Sequence, residues 1–166
     1  MIVVRHGATH ADQADTDPLN HENTAKQRQL NAKGEEAAKT FGEALKRMGV
    51  PVGKAITSHF NRAYQTAKLA GIDNVEKSPD ITEGGQVVSP NENNRRTAAL
   101  RKLAGIAPPA GTNVVIVSHK PNIIDAFGVD WFEIKEGEAS IFKPDGAGGY
   151  KLVGRVQADE WAKLAP

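Results

Sequence analysis

The clearest strand in the sequence is Val114-Val115-Ile116-Val117-Ser118, a nearly continuous apolar run that leads directly into His119. A second run of this kind, Ile2-Val3-Val4, lies near the beginning of the chain and ends in Arg5-His6-Gly7. Strands buried on both faces of a parallel sheet have continuous apolar sequences, whereas strands with one solvated face alternate. Both runs therefore predict central strands of a parallel sheet.

Helical patterns alternate with strands along the rest of the chain. The first helix has apolar residues at intervals of three and four, begins at a suitable N-cap, Asn31, and ends at Gly49. The other predicted elements are a strand over Lys54–Ser58, helices over Asn61–Ala70, about Glu92–Leu103 and Ile123–Phe127, and a hairpin of Glu138–Lys143 with Tyr150–Val156. The third helix is predicted to bury Ala98, Ala99 and Leu103. This alternation predicts an α/β fold, a three-layer α/β/α sandwich with a largely parallel central sheet.

Length and composition limit the functional classes. The 166 residues match the usual size of one domain, so we predict a single domain over residues 1–166. The 21 Lys and Arg residues against 20 Asp and Glu residues give a formal net charge of +1, which gives no general electrostatic basis for nucleic-acid binding. The chain has no cysteine, which excludes disulfides, thiolate zinc ligands and a cysteine nucleophile.

The cellular location is only weakly constrained by the sequence. No apolar run reaches the roughly 20 residues that a membrane-spanning helix needs, and the given chain shows no signal peptide. We therefore expect a cytoplasmic protein from the given chain. Export to the periplasm stays open, because the first strand begins immediately after Met1 and a preceding segment could have been removed.

Charged and imidazole side chains follow the carboxyl ends of the predicted strands. Arg5 and His6 follow the first strand, His119 follows the clearest one, and Arg62 comes four residues after the strand that ends at Ser58. In open α/β sheets, ligands bind in the crevice outside these strand ends. Two arginines, two histidines and the unpaired N–H groups of a helix N-terminus suit a small, doubly charged tetrahedral anion. The sequence therefore predicts a phosphate-binding pocket.

A long polar stretch, Ala8–Gln29, has neither the helical nor the strand period. Loops of this length in compact domains are usually functional or disordered. We predict that this stretch shapes the entrance of the pocket and that its polarity favours a polar or charged substrate over a lipid. The expected partner is a small phosphorylated substrate or a phosphoprotein, and the oligomeric state is left open.

Four short blocks of sequence, taken in their order along the chain, match a known pattern. They are Arg5-His6-Gly7, Leu30-Asn31-Ala32-Lys33-Gly34, Thr57-Ser58-His59-Phe60-Asn61-Arg62-Ala63-Tyr64-Gln65-Thr66-Ala67 and Val117-Ser118-His119. Together they resemble the motifs of the histidine phosphatase (phosphoglycerate mutase-like) superfamily, and the chain looks like one of its small bacterial-type phosphatases. The resemblance implies a phosphoglycerate mutase-like fold and phosphatase activity.

The same resemblance implies a role for each residue of the predicted pocket. His6 is implied as the nucleophile that forms a phosphohistidine intermediate. Arg5, Arg62 and His119 are implied to hold the phosphoryl oxygens and to offset the charge that develops on them during transfer. Glu83, on the loop after the second helix, is the candidate general acid. The resemblance implies neither a metal nor another cofactor.

The sequence departs from the family's pattern at three places. Lys120 stands where the acid-phosphatase branch has an Asp, so the acid is expected from the loop that carries Glu83. His59 replaces the proline of the third block, and Ala8–Asp12 lacks an Asn that mutase-type members carry there. The chain is also short for a mutase. We therefore predict a metal-independent phosphatase that hydrolyses phosphomonoesters or protein phosphohistidine.

The sequence leaves two other functions open. A non-catalytic phosphate-binding or regulatory module would keep the pocket but lack an effective acid. A metal-binding histidine protein would use His6, His10 and His119. His10, His21 and His59 also have a simpler interpretation as polar loop residues, with His10 and His59 near the rim of the pocket.

Overall fold

The computed structural model describes residues 1–164. Within them, one sheet contains the strands β1 (Ile2–Arg5), β2 (Val52–Thr57), β3 (Val75–Lys77), β4 (Asn113–Ser118), β5 (Ala139–Pro144) and β6 (Tyr150–Val156). Their spatial order is β3-β2-β4-β1-β5-β6. The first four strands are parallel to one another, and β5 pairs antiparallel with both β1 and β6. The predicted largely parallel sheet and its terminal hairpin are confirmed.

Helices cover both faces of the sheet. In residues 1–164 they are α1 (Ala32–Arg47), α2 (Asn61–Leu69), α3 (Pro90–Gly105), α4 (Lys120–Phe127) and α5 (Trp161–Leu164). Phe41 of α1 and Trp161 of α5 share an apolar cluster with Val4 of β1. Leu100 of α3 belongs to another cluster, with Val3 of β1. Because neighbouring residues of a strand point to opposite faces, these clusters lie on opposite sides of the sheet, and the three-layer sandwich is confirmed.

The carboxyl ends of the central strands lie level with one another. Arg5 at the end of β1 is in register with Ser118 of β4, and Thr57 of β2 is in register with Val117 of β4. The ladder continues past β1, since the His6 N–H donates to the Ser118 carbonyl oxygen at 3.1 Å. The residues that follow these three strands therefore meet at one edge of the sheet.

The prediction of which α3 residues face the core is partly wrong. Ala98 is exposed and Ala99 is only half-buried, whereas Leu100 and Ala104 are fully buried. Leu103 is half-buried and packs against the core. The helix turns its largest regularly spaced side chains toward the sheet, and in an alanine-rich sequence the alanines themselves do not identify that face.

Two further elements, β3 and α4, differ from the prediction by more than two residues. Strand β3 was not predicted, because Val75–Lys77 is too short to show a period. Helix α4 begins at Lys120, three residues earlier than predicted, so that it starts immediately after His119. The predicted N-cap of α1 is confirmed, since the Asn31 side chain accepts from the Gly34 N–H at 2.9 Å. None of the helices within residues 1–164 has the length and apolarity needed to cross a bilayer.

Candidate active site

His6 lies in the turn that follows β1 and is 2 % exposed. Its Nδ1 lies 2.8 Å from the Gly7 carbonyl oxygen. A carbonyl oxygen only accepts, so Nδ1 carries the proton and Nε2 keeps its lone pair. The neutral ring therefore presents a nucleophilic nitrogen of defined tautomer.

Close backbone packing fixes the turn that carries His6. The Gly7 N–H donates to the Thr66 hydroxyl of α2 at 3.0 Å. A Cβ on Gly34, in the first turn of α1, would lie 2.1 Å from the Ala8 carbonyl oxygen, which no side chain tolerates. Only glycine fits at positions 7 and 34 because the turn and α1 are in direct backbone contact there. This contact explains the glycines of the first two sequence blocks.

Arg62 lies in the first turn of α2 and is completely buried. Its terminal nitrogens lie 2.9 and 3.0 Å from the carboxylate oxygens of Asp15, and one of them lies 3.4 Å from Glu83. The guanidinium also sits 4.3 Å from the centre of the Phe60 ring. The forked N–H donors of this guanidinium suit a carboxylate or a phosphoryl group, and the Asp15 carboxylate holds them here.

His119 is the N-cap residue of α4 and is also completely buried. Its ring centre lies 5.2 Å from that of His6. The Nε2 atom lies 2.7 Å from the Ser58 hydroxyl oxygen, and Nδ1 lies 3.3 Å from a Glu83 carboxylate oxygen without forming a hydrogen bond. The structure therefore brings His6, Arg62, His119 and Glu83 together.

Arg5 is held by the chain segment that precedes β5. Its Nη1 donates to the Ile134 carbonyl oxygen at 2.7 Å, and its Nη2 lies 3.6 Å from Glu136. This segment is in turn fixed by Glu138, a fully buried carboxylate that accepts from Arg155 Nε at 2.6 Å. Arg5 directly precedes His6 in the chain, and the orientation of its side chain depends on the terminal hairpin.

Burial and neighbouring cations keep both site histidines neutral. Burial, followed by the charges of Arg62 and Arg5, lowers the pKa of His6 from 6.5 to about 3. Burial, followed by the neighbouring His6 and Arg62, lowers the pKa of His119 well below 6.5. Near pH 7 both imidazoles are therefore neutral, and the cations that act on them are Arg62, Arg5 and Arg28.

These lowered pKa values predict that the ligand-free protein loses stability in acid. Below pH 6.5 the unfolded chain protonates its histidines, whereas folded His6 stays neutral down to a pKa of about 3. Because the unfolded state binds more protons in this window, the free energy of unfolding falls as the pH falls. Between pH 7 and pH 5.5 we expect His6 to contribute a loss of about 1 kcal/mol.

Urea denaturation of the wild type and His6→Asn at both pH values measures this contribution. The difference in unfolding free energy between the two pH values should be smaller in the variant by about 1 kcal/mol. An equal pH dependence in both proteins would show that His6 titrates normally in the folded state.

The remaining histidines lie outside this group. His10 is exposed on the loop after β1. His21 and His59 face each other with ring centres 5.2 Å apart, and His21 lies 5.2 Å from Phe60. Within residues 1–164, no three or more His, Cys, Asp or Glu side chains form a group that could hold a metal ion. The structure therefore does not assemble the alternative metal site built on His6, His10 and His119.

Two residues of the polar loop reach the site and were not identified from the sequence. Asp15 pairs with Arg62, and the backbone N–H of Arg28 donates to Asp15 at 2.9 Å. The Arg28 carbonyl oxygen accepts from Arg62 Nη1 at 3.5 Å, and the positive charge of Arg28 contributes to the lowered pKa of both His6 and His119. The loop has no sequence period, so the register that brings these two residues inward has no local signal.

Comparison with known proteins identifies the family. Residues 1–85, just over half of the chain, match the Histidine phosphatase superfamily (branch 1). The chain belongs to this superfamily. The prediction of a histidine phosphatase, a phosphoric monoester hydrolase, is thereby confirmed at the level of the family. A search of curated protein sequences gives no match.

Solved structures with this fold extend over nearly the whole histidine phosphatase chain. The protein histidine phosphatase SixA complexed with tungstate has 20 % identity and a TM-score of 0.70, with 96 % of this chain and 97 % of that chain covered. A phosphohistidine phosphatase SixA from Nakamurella multipartitia has 19 % identity and a TM-score of 0.63, with 94 % of each chain covered. Phosphoserine phosphatase from Entamoeba histolytica, in complex with 3-phosphoglyceric acid, has 17 % identity and a TM-score of 0.64, with 94 % and 95 % covered. At these identities the comparisons establish the fold of this histidine phosphatase.

Proposed function

We propose that this histidine phosphatase hydrolyses phosphomonoesters, or phosphohistidine in proteins, through a phosphohistidine on Nε2 of His6 and without a metal ion. The observation that carries the proposal is the neutral His6 ring. Its Nδ1 is bound to the Gly7 carbonyl oxygen, the buried His119 ring lies 5.2 Å away, and Glu83 lies beside both His119 and the buried Arg62. A neutral imidazole nitrogen with a fixed tautomer is a good nucleophile near pH 7.

In the first step Nε2 of His6 attacks the phosphorus atom while the bond from phosphorus to the leaving oxygen breaks. Arg5, Arg62 and His119 bind the phosphoryl oxygens, and their donors stabilise the charge that spreads over them. Glu83, in its protonated form, gives its proton to the leaving oxygen. The Nδ1 proton of His6 stays on the hydrogen bond to Gly7.

In the second step a water molecule attacks the phosphorus atom and the bond to Nε2 breaks. The Glu83 carboxylate accepts the proton of this water, which returns Glu83 to its protonated form. The balance is one substrate and one water converted to an alcohol, or a free imidazole, and inorganic phosphate. Phosphohistidine has a nitrogen leaving group. The fold that this chain shares with SixA proteins supports including phosphohistidine among the proposed substrates.

Turnover of para-nitrophenyl phosphate with excess EDTA and with vanadate tests the proposal. Turnover that survives EDTA and is blocked by vanadate is the expected result. Binding of phosphate without turnover would instead favour the non-catalytic phosphate-binding module. Loss of turnover in EDTA would contradict metal independence.

The role of Glu83 predicts an effect that depends on the leaving group. An alkoxide leaves only with a proton, whereas para-nitrophenolate leaves readily without one, so Glu83→Gln should slow an alkyl phosphate by roughly 10²-fold or more and the nitrophenyl ester much less. Steady-state kinetics with both esters, with Glu36→Gln on the exposed side of α1 as control, measure the difference. Equal damage to both esters would assign Glu83 to binding or structure.

A further inference from the structure

Asp15, on the polar loop between β1 and α1, is paired with Arg62 in the middle of the site. Its two carboxylate oxygens lie 2.9 and 3.0 Å from the two terminal nitrogens of Arg62. A guanidinium binds a carboxylate and a phosphoryl group through the same forked pair of N–H donors. The Asp15 carboxylate therefore occupies the place on Arg62 that a phosphoryl group would take.

The burial of Arg62 explains why a carboxylate is held there. The Arg62 side chain has no exposed surface, whereas that of Asp15 is 22 % exposed. A buried cation that loses its partner is costly, and Glu83 approaches the same guanidinium only to 3.4 Å. Asp15 thus neutralises the arginine and lies on the solvent side of it.

The attachment of Asp15 allows it to leave. The Arg28 N–H that donates to its Oδ1 at 2.9 Å belongs to the same loop. Rotation of the Asp15 side chain away from Arg62 therefore leaves β1 and α2 in place. An incoming phosphoryl dianion carries twice the charge of the carboxylate, so it can replace Asp15 on the forked donors of Arg62.

We propose that Asp15 is an internal competitor of the phosphoryl group in the reaction cycle. It occupies Arg62 in the empty site, yields it to the substrate, and returns to displace the product phosphate. The inference rests on the proposed function, which supplies the phosphoryl ligand. Since the site binds a ligand only in the fraction of molecules whose Asp15 has moved, the apparent affinity for every phosphoryl ligand is lowered by that fraction.

The benefit of such a competitor lies in product release. Inorganic phosphate bears the same oxygens as the transferred group and would be retained by the same buried donors. Product release limits turnover in many enzymes. A carboxylate tethered beside the fork has a high effective concentration and shortens the residence of the product.

Asp15→Asn removes the charge but keeps a side-chain oxygen for the Arg28 N–H. We expect the dissociation constant of inorganic phosphate, measured by calorimetry at pH 8, to fall about tenfold or more. The KM for para-nitrophenyl phosphate should fall with it, whereas kcat should stay equal or decrease. Asp12→Asn, an exposed position on the same loop, should leave both constants unchanged, and Asp15→Glu, which restores the charge, should bring the affinity back toward the wild-type value.

Unchanged or weaker phosphate binding by Asp15→Asn would overturn the inference, and weaker binding would mean that Asp15 positions Arg62. Calorimetry needs no turnover, so a protein that binds phosphate without hydrolysing esters would contradict the proposed function and leave this test intact. If the ligand-free variant is too unstable for calorimetry, thermal unfolding with and without phosphate replaces it. The rise in Tm on adding phosphate should then exceed that of the wild type, and an equal or smaller rise would equally overturn the inference.

Discussion

His6→Ala lowers kcat for para-nitrophenyl phosphate by roughly 10⁴-fold or more, the largest effect expected of any substitution in this protein. The variant loses the nitrogen that forms the bond to phosphorus, and the neighbouring His119 has its Nε2 engaged with the Ser58 hydroxyl. The fold should survive, because the Gly7 N–H bond to Thr66 and the β1 ladder do not involve the ring. Steady-state kinetics measure the loss of kcat, and circular dichroism shows whether the fold is retained.

The matched control for this substitution is His10→Ala. His10 lies four residues further along the same loop and is exposed, so its loss should leave kcat unchanged. Rapid quench of the wild type during turnover should trap acid-labile, base-stable phosphate on the protein, and none should be trapped on His6→Ala. Retained activity in the variant, or the absence of trapped phosphate from the wild type, would exclude His6 as nucleophile.

Arg62→Ala and His119→Ala should each lower kcat/KM by roughly 10²- to 10³-fold. Both side chains are fully buried, so water cannot replace their donors at the phosphoryl oxygens. Arg62→Lys keeps the charge without the fork and should recover only part of the loss. Steady-state kinetics with para-nitrophenyl phosphate give the three values.

Arg95→Ala serves as the control for lost positive charge. The Arg95 side chain is 51 % exposed on α3 and pairs with Glu92 and Asp80, so kcat/KM should stay at the wild-type value. Losses below tenfold in both Arg62→Ala and His119→Ala would mean that neither side chain touches the transferring group. A loss in Arg95→Ala of similar size would point to long-range charge instead of direct contact.

The centre of the sheet and the grouping of its side chains could be predicted because they depend on short, regular signals. The apolar runs that became β1 and β4 are buried on both faces, and polar residues begin where each run ends. Parallel strands in register then bring His6 and His119 together without further information. Arg62 follows from the same rule, since α2 begins directly after the turn that leaves β2.

The structure of the polar loop could not be predicted from the sequence because it depends on single contacts. Asp15 meets Arg62, 47 positions later in the chain, and the Gln27 side chain accepts from the Asn61 N–H at 2.8 Å. Neither contact repeats with a period, and both depend on the tertiary placement of α2. The prediction of which face of α3 is buried failed for a related reason, since alanine fits either a buried or an exposed position.

The place of β1 in the sheet has a consequence for the order in which the protein assembles. This strand is made first, yet its partners on either side begin at Asn113 and Ala139. Contacts between distant parts of a chain form slowly, since a long loop must close before they stabilise anything. We expect the nascent chain to carry His6 in an unpaired segment until Ser118 of β4 has been synthesised, and Arg5 to gain its contacts only when Ile134 and Glu136 follow. The activity would then appear only at the end of folding, with no partly folded form able to hydrolyse phosphate esters.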